Sequence, residues 1–278
     1  MHLKVCLSFF VFKILNIMQR KYYIIKIQYL GFRFHGWQKQ PEVNTVQRMV
    51  DRTLAYVLGH KKFKTLAAGR TDAKVSVNET FIELFLDEGY LDFEEFMPLF
   101  NLNLPQDIKA LNIEETNKNF NIIQHAKQKE YLYVFTFGEK IHPFAAPFMV
   151  AFPEVLNILL MQQAAKLFEG THNFRNYTYK PTPTTNTIGT ITTCELVENT
   201  VYEANFFPKK SYLLRVVGEG FKRNQIRIMM ARLMELGRGD IDLETIKKSL
   251  SQPKEVLPIT YIAPASGLIL QSVDFKVD

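Results

Sequence analysis

The sequence predicts an α+β protein of two similar domains, each with a mainly antiparallel sheet flanked by helices. Three observations lead there. Strand-like runs of β-branched and aromatic residues mix with amphipathic helical segments without the strict alternation of a doubly wound protein. Up to residue 114 the order is roughly β-α-β-β-α-β, and a second set of strands and helices follows with no repeat at fixed period. Between the two sets lies a polar stretch, 115–119, which reads as a linker. The expected domains are therefore 19–118 and 119–278, after a leader at 1–18.

Residues 22–29 (YYIIKIQY) form a strand that ends at Gly31. Over 45–58, Val46, Met49, Val50, Leu54, Val57 and Leu58 recur at spacings of three and four, predicting a core-packing helix capped by Asn44 and stopped by Gly59. Strands at 65–68 and 80–86 flank a loop, 69–75. Asp92, with Glu95 three residues on, opens a helix that ends near Asn101. A strand over 108–114 follows the turn-rich Leu104-Pro105-Gln106-Asp107. The second unit opens with a strand at 130–137 (EYLYVFTF) and a helix at 155–169 closed by Gly170. Strands at 187–197 and 212–217 precede a helix at 225–236 closed by Gly237. A short helix, 243–250, and a strand, 268–275, end the chain, and 180–186 (KPTPTTN) reads as an exposed loop.

With 47% hydrophobic and 22% charged residues in 278, the chain has enough apolar surface to fold without disulfides, which excludes a disordered protein. The charge of +6 favours a polyanionic partner, although a slightly basic solvated surface gives the same number. Cys6 and Cys194 lack CxxC spacing and the six histidines form no ligand pair, so neither a metal nor another cofactor is expected and a cytoplasmic setting fits. Residues 1–18 are apolar, but Lys13 interrupts them and the run is too short to span a bilayer, so no membrane is expected. Met18 opens directly into the first strand and reads as the true start of translation.

The segment Ala68-Gly69-Arg70-Thr71-Asp72-Ala73-Lys74 sets one carboxylate between two cations in a loop opened by glycine. Nearby cations keep a carboxylate ionised, as a nucleophile or base requires. The same residues also describe a solvated turn in which Asp72 pairs with Arg70 or Lys74. Tyr131 alternates with Tyr133 on a strand and, by itself, reads as core packing. Arg227 heads an apolar helix and, by itself, reads as a solvated-face residue. The clusters Lys61-Lys62-Lys64, Lys127-Lys129, Lys209-Lys210 and Lys222-Arg223 suit phosphate neutralisation. A phosphate-binding glycine loop or cofactor fingerprint is missing, which argues against a small-molecule enzyme.

Eight segments then occur in one order: Gly36-Trp37-Gln38 with Gln40; Thr45-Val46-Gln47; Gly69-Arg70-Thr71-Asp72; Asn103-Leu104-Pro105 with Asp107-Ile108; Lys129-Glu130-Tyr131 with Tyr133; Gly170-Thr171-His172-Asn173-Phe174; Phe221 six residues before Arg227; and Gly267-Leu268 with Leu270. Together they resemble the TruA-type tRNA pseudouridine synthases over nearly the whole chain from residue 22. The resemblance implies isomerisation of uridine to pseudouridine in tRNA, in the anticodon stem and loop, without metal or redox cofactor. It implies Asp72 as nucleophile, on C6 or at C1′, with Arg227 as its partner and Tyr131 against the base, where a phenol can move a proton. Arg70 would fill the space of the flipped nucleotide; of the basic clusters, Lys129, Lys222 and Arg223 would contact RNA, and Lys74 would replace a polar contact of the family. A cleft between the domains and a homodimer are likewise implied.

Three segments depart from the family pattern. Ala73-Lys74-Val75-Ser76-Val77 replaces A-G-V-H-A, Phe120-Asn121-Ile122-Ile123 replaces F-H-A-R, and Arg223-Asn224 replaces a histidine pair. The chain reads as a divergent member with retained chemistry. The competing reading is a non-catalytic RNA-binding protein or RNA chaperone on the same scaffold. Binding alone does not require Asp72, Tyr131 and Arg227 together.

Overall fold

The computed structural model describes residues 20–251 and 258–275. The leader at 1–18, the start at Met18 and Cys6 lie outside the described residues.

Strand β1 (Lys21–Tyr29) buries every second side chain, Tyr23, Ile25, Ile27 and Tyr29, as period-two alternation requires. Helix α1 (Val46–Leu58) sets Val46, Val50 and Leu54 against that face. Its N-cap is Thr45, not Asn44: the Thr45 hydroxyl accepts from the Arg48 amide at 3.3 Å, while the Asn44 carbonyl accepts from His35. Gly59 closes the helix at a left-handed φ of 71°. Strands β2 (Phe63–Ala67) and β3 (Ser76–Leu86) follow, then helix α2 (Phe93–Asn103), capped by Asp92 as expected, and strand β4 (Ile108–Thr116). Strand β4 runs into the expected linker as far as Thr116.

The second half starts with a four-residue helix, α3 (Ile122–His125), and the long strand β5 (Ala126–Phe137). Strand β6 (Val150–Phe152), helix α4 (Ile158–Lys166) and strand β7 (Gly170–Asn173) come next; β6, β7 and α3 are too short to announce themselves by periodicity. Strands β8 (Ile188–Glu198) and β9 (Tyr212–Gly218), helices α5 (Gln225–Arg238) and α6 (Leu243–Ser251), and strand β10 (Leu268–Phe275) complete the chain.

Two helix bounds differ from expectation for one shared reason. Helix α5 continues through Gly237 to Gly239, where φ is 84°. At Gly237 an added Cβ would lie 2.6 Å from the Met161 sulfur, so this glycine admits α4 against α5. The Gly237 carbonyl also accepts from the Asn157 amide at 2.9 Å, and Asn157 then caps α4. Helix α4 therefore starts at Ile158, and the residues before it are spent on this junction.

The strands form one continuous sheet in the order β4-β1-β3-β10-β5-β9-β8-β7, with β2 on the outer part of β3 and β6 on the end of β5. Among the described residues only β3–β10 and β5–β6 are parallel. One core lies where α1 and α2 meet β1 and β3, and another where α4 and α5 meet β5, β8 and β9. Strand β10 joins them: Leu268 belongs to the second core, Leu270 and Val273 to the first. Its register sets Ile269 beside Ser76 and Leu270 beside Tyr131. The last strand thus brings the end of the loop at 69–75 alongside Tyr131.

Candidate active site

The loop between β2 and β3 is held from below by the segment that follows β1. The Trp37 amide donates to the Thr71 carbonyl at 3.2 Å, the Lys74 amide donates to the Phe34 carbonyl at 3.0 Å, and the Tyr29 and Thr71 hydroxyls lie 2.8 Å apart. The Ser76 hydroxyl accepts from the Gly31 amide at 2.9 Å. Gln47 ties the start of α1 to β2, donating to Thr65 while accepting from the Lys39 amide. Several of the sequence motifs around Trp37 and Gln47 are therefore supports for this loop.

The approach is close at Gly36, whose φ is 87° and where an added Cβ would lie 2.6 Å from the Thr71 carbonyl oxygen. Gly36→Ala is expected to cost about 2 kcal/mol or more of stability, through left-handed strain and the backbone collision. Urea unfolding checks this, and an unchanged midpoint would contradict the close approach.

Held this way, Asp72 faces α5. Its carboxylate lies 3.4 Å from Arg227 Nη1 across 155 residues of sequence. The Arg227 side chain is only 16% exposed, which removes the solvated-face reading. Its Nε donates to the Ala263 carbonyl at 2.7 Å and its Nη1 also donates to Asn224 Oδ1 at 3.1 Å. Neither Arg70 nor Lys74 pairs with Asp72: Lys74 Nζ lies over the Phe32 ring at 5.7 Å, and Arg70 is exposed with no ion pair among the described residues. Tyr131 packs edge-on to Phe221, with centroids 5.3 Å apart, and touches both cores. Burial pushes its phenol well above the ordinary value, and the Asp72 carboxylate adds to that rise. The phenol therefore stays protonated at neutral pH.

These groups border a pocket of about 420 Å³ lined by Arg70, Asp72, Tyr131, Lys222, Arg223 and Asn224 among others. One acid faces three cations, which suits a ligand carrying phosphates. Among the described residues no three His, Cys, Asp or Glu side chains converge as a metal ion would need.

Residues 164–276 match the family described as tRNA pseudouridine synthase. That match includes Arg227 but stops short of Asp72, and longer similarities cover the rest. The chain is 33% identical over 259 residues to tRNA pseudouridine synthase A of Pseudothermotoga lettingae, covering 92% of this chain and 100% of that protein. It is 31% identical over 254 residues to tRNA pseudouridine synthase A 2 of Bacillus cereus strain ATCC 10987, covering 91% and 99%. A similarity of 29% over 252 residues links it to tRNA pseudouridine synthase A of Listeria innocua, covering 90% and 97%. The chain belongs to the tRNA pseudouridine synthase A family.

In this family member the remaining predicted residues fall into three groups. Arg70, Lys222 and Arg223 line the pocket, with the Arg223 guanidinium over Tyr179 at 5.1 Å. Burial lowers the Lys222 ammonium's affinity for its proton. Lys74 stands beside the pocket at a left-handed φ of 67°, so the turn that glycine would take freely is kept here at some strain. The other basic clusters stay away from it: Lys62 pairs with Glu88 at 2.7 Å, Lys64 lies over Phe85 and Lys210 over Tyr212.

Lys129 forms the third group. Its ammonium donates to the Ala68 carbonyl at 3.1 Å, and an added Cβ at Gly69 would lie 2.9 Å from it, so β5 props the loop at 69–75 through this side chain. Burial lowers its pKa from the ordinary 10.5. The unfolded chain then binds this proton more readily than the folded one, and the site's contribution to stability rises with pH from the lowered value up to about 10.5. Denaturation of the parent and Lys129→Met from pH 7 to pH 10 should show the parent gaining on the variant; parallel curves would mean a solvated ammonium. Sequence reasoning missed this strut, as it missed the Ala263 carbonyl, because neither contact has a local signature.

Proposed function

We propose that the chain isomerises uridine to pseudouridine in the anticodon stem and loop of tRNA, with Asp72 as nucleophile. The observation that carries this reading is the Asp72–Arg227 ion pair opening into the same pocket as Tyr131. An exposed structural pair would not need a buried arginine aimed at a carboxylate that is itself 40% open.

Attack by Asp72 on C6 or at C1′ makes a different transient bond to the carboxylate, which breaks again before release, and the net bond changes are the same. The C1′–N1 bond breaks, the base turns, C5 joins C1′, the C5 proton leaves and N1 gains one. Arg227 pairs with the attacking carboxylate and aims it. Tyr131 begins the cycle as a phenol, able to stack on the uracil and to donate a proton, and is not a resident base. Arg70, unpaired by any acid among the described residues, is free to replace the extruded nucleotide in the RNA stack, while Lys222 and Arg223 contact phosphates. A homodimer and a cytoplasmic setting belong to the same proposal; among the described residues no helix is long and apolar enough to cross a membrane.

Incubation of the purified chain with unmodified tRNA, followed by carbodiimide mapping of pseudouridine, tests the reading. New pseudouridine in the anticodon arm is expected. Product elsewhere in tRNA would keep the reaction and reject the site, whereas tight binding without product would favour the RNA-binding protein.

A further inference from the structure

We infer that Asn224 is a positioning residue that holds Arg227 in place for Asp72, an inference that rests on the reaction proposed above. Helices α1, α2 and α4 begin at Thr45, Asp92 and Asn157, and each side-chain oxygen accepts from a backbone amide of its own first turn. That is what an N-cap residue ordinarily does. Helix α5 is the exception among them. Asn224 takes a left-handed φ of 58° and makes no side-chain cap bond. Its Oδ1 accepts instead from Arg227 Nη1 at 3.1 Å.

The turn itself does not depend on that side chain. The Gln225 amide donates to the Lys222 carbonyl at 3.0 Å, Gln225 Oε1 accepts from the Lys222 amide at 2.7 Å, and the Ile228 amide donates to the Asn224 carbonyl at 2.9 Å. A left-handed asparagine that gives up its cap bond is strained in favour of another contact. The contact it makes is with the arginine that faces the nucleophile.

Arg227 is thereby held by two neutral acceptors, Ala263 O and Asn224 Oδ1, in addition to Asp72. The distinction matters during the reaction. When the Asp72 carboxylate bonds covalently to substrate it loses its charge, and the ion pair with it. Asn224 and Ala263 keep the guanidinium in position to receive the carboxylate when it is released.

Asn224→Gly tests this, because glycine accepts the left-handed backbone and removes only the amide. The expected result is a kcat about tenfold lower, the scale of one lost bond to a charged group, with KM for tRNA and melting temperature unchanged. In an Arg227→Ala background the same change should add no further loss. Unchanged kcat, a raised KM with intact kcat, or an additive loss in that background would each overturn the inference. An active parent with an unaffected glycine variant removes this inference alone; a parent that makes no pseudouridine removes the reaction beneath it.

Discussion

Asp72→Asn is expected to abolish pseudouridine formation while tRNA binding persists. Asparagine keeps the shape of aspartate and an oxygen that can still accept from Arg227 Nη1, so the loop, itself held by Trp37, Tyr29 and Lys129, has no reason to move. What disappears is the anionic oxygen that the proposed reaction bonds to the substrate. Loss of a nucleophile is felt at about 10⁴-fold or more in turnover. Single-turnover product mapping beside filter binding separates the two quantities. Turnover within tenfold of the parent would remove Asp72 from the role of nucleophile.

The second large effect is expected at Arg227. Arg227→Ala leaves Asp72 without its counter-charge and the Ala263 carbonyl and Asn224 amide without their donor. Turnover should fall roughly 100-fold, from lost hydrogen bonds to charged groups, with a stability cost of about 1–3 kcal/mol for the stranded Ala263 carbonyl, which is buried. Affinity for tRNA should change little, because Arg227 is turned toward Asp72, behind the side chains that line the pocket. Arg227→Lys should recover little, since an ammonium cannot serve the three acceptors in the plane that a guanidinium spans. Equal losses of affinity and turnover would contradict the assigned role.

Most elements were legible because their signals are local. The alternation in β1, the three-and-four spacing in α1 and the Asp92 cap of α2 need no knowledge of distant residues. Misread bounds arose where a residue answers to a neighbour far along the chain. Gly237 looked like a helix stop and is a packing surface for Met161. Lys129 reads from sequence as a cation for RNA, and its contact with the Ala68 carbonyl was not legible, because what a lysine meets depends on what covers it. Asn224 read only as a departure from a family pattern, since its local sequence says nothing of the arginine it holds.

By itself the sequence determined the class of fold, the order of its longer elements and a loop in which Asp72 sits between cations. Its local residues left that aspartate able to pair with Arg70 or Lys74, and Arg227 was named only through the family resemblance. The tertiary structure sets Arg227 Nη1 3.4 Å from the carboxylate. Strand β10 inserts between β3 and β5, its register aligns Ser76 with Ile269 and Leu270 with Tyr131, and the loop is thereby carried across to the start of α5. Periodicity records which face of an element is buried, but strand order and register fix which distant segments meet, and the candidate site is made at such a meeting.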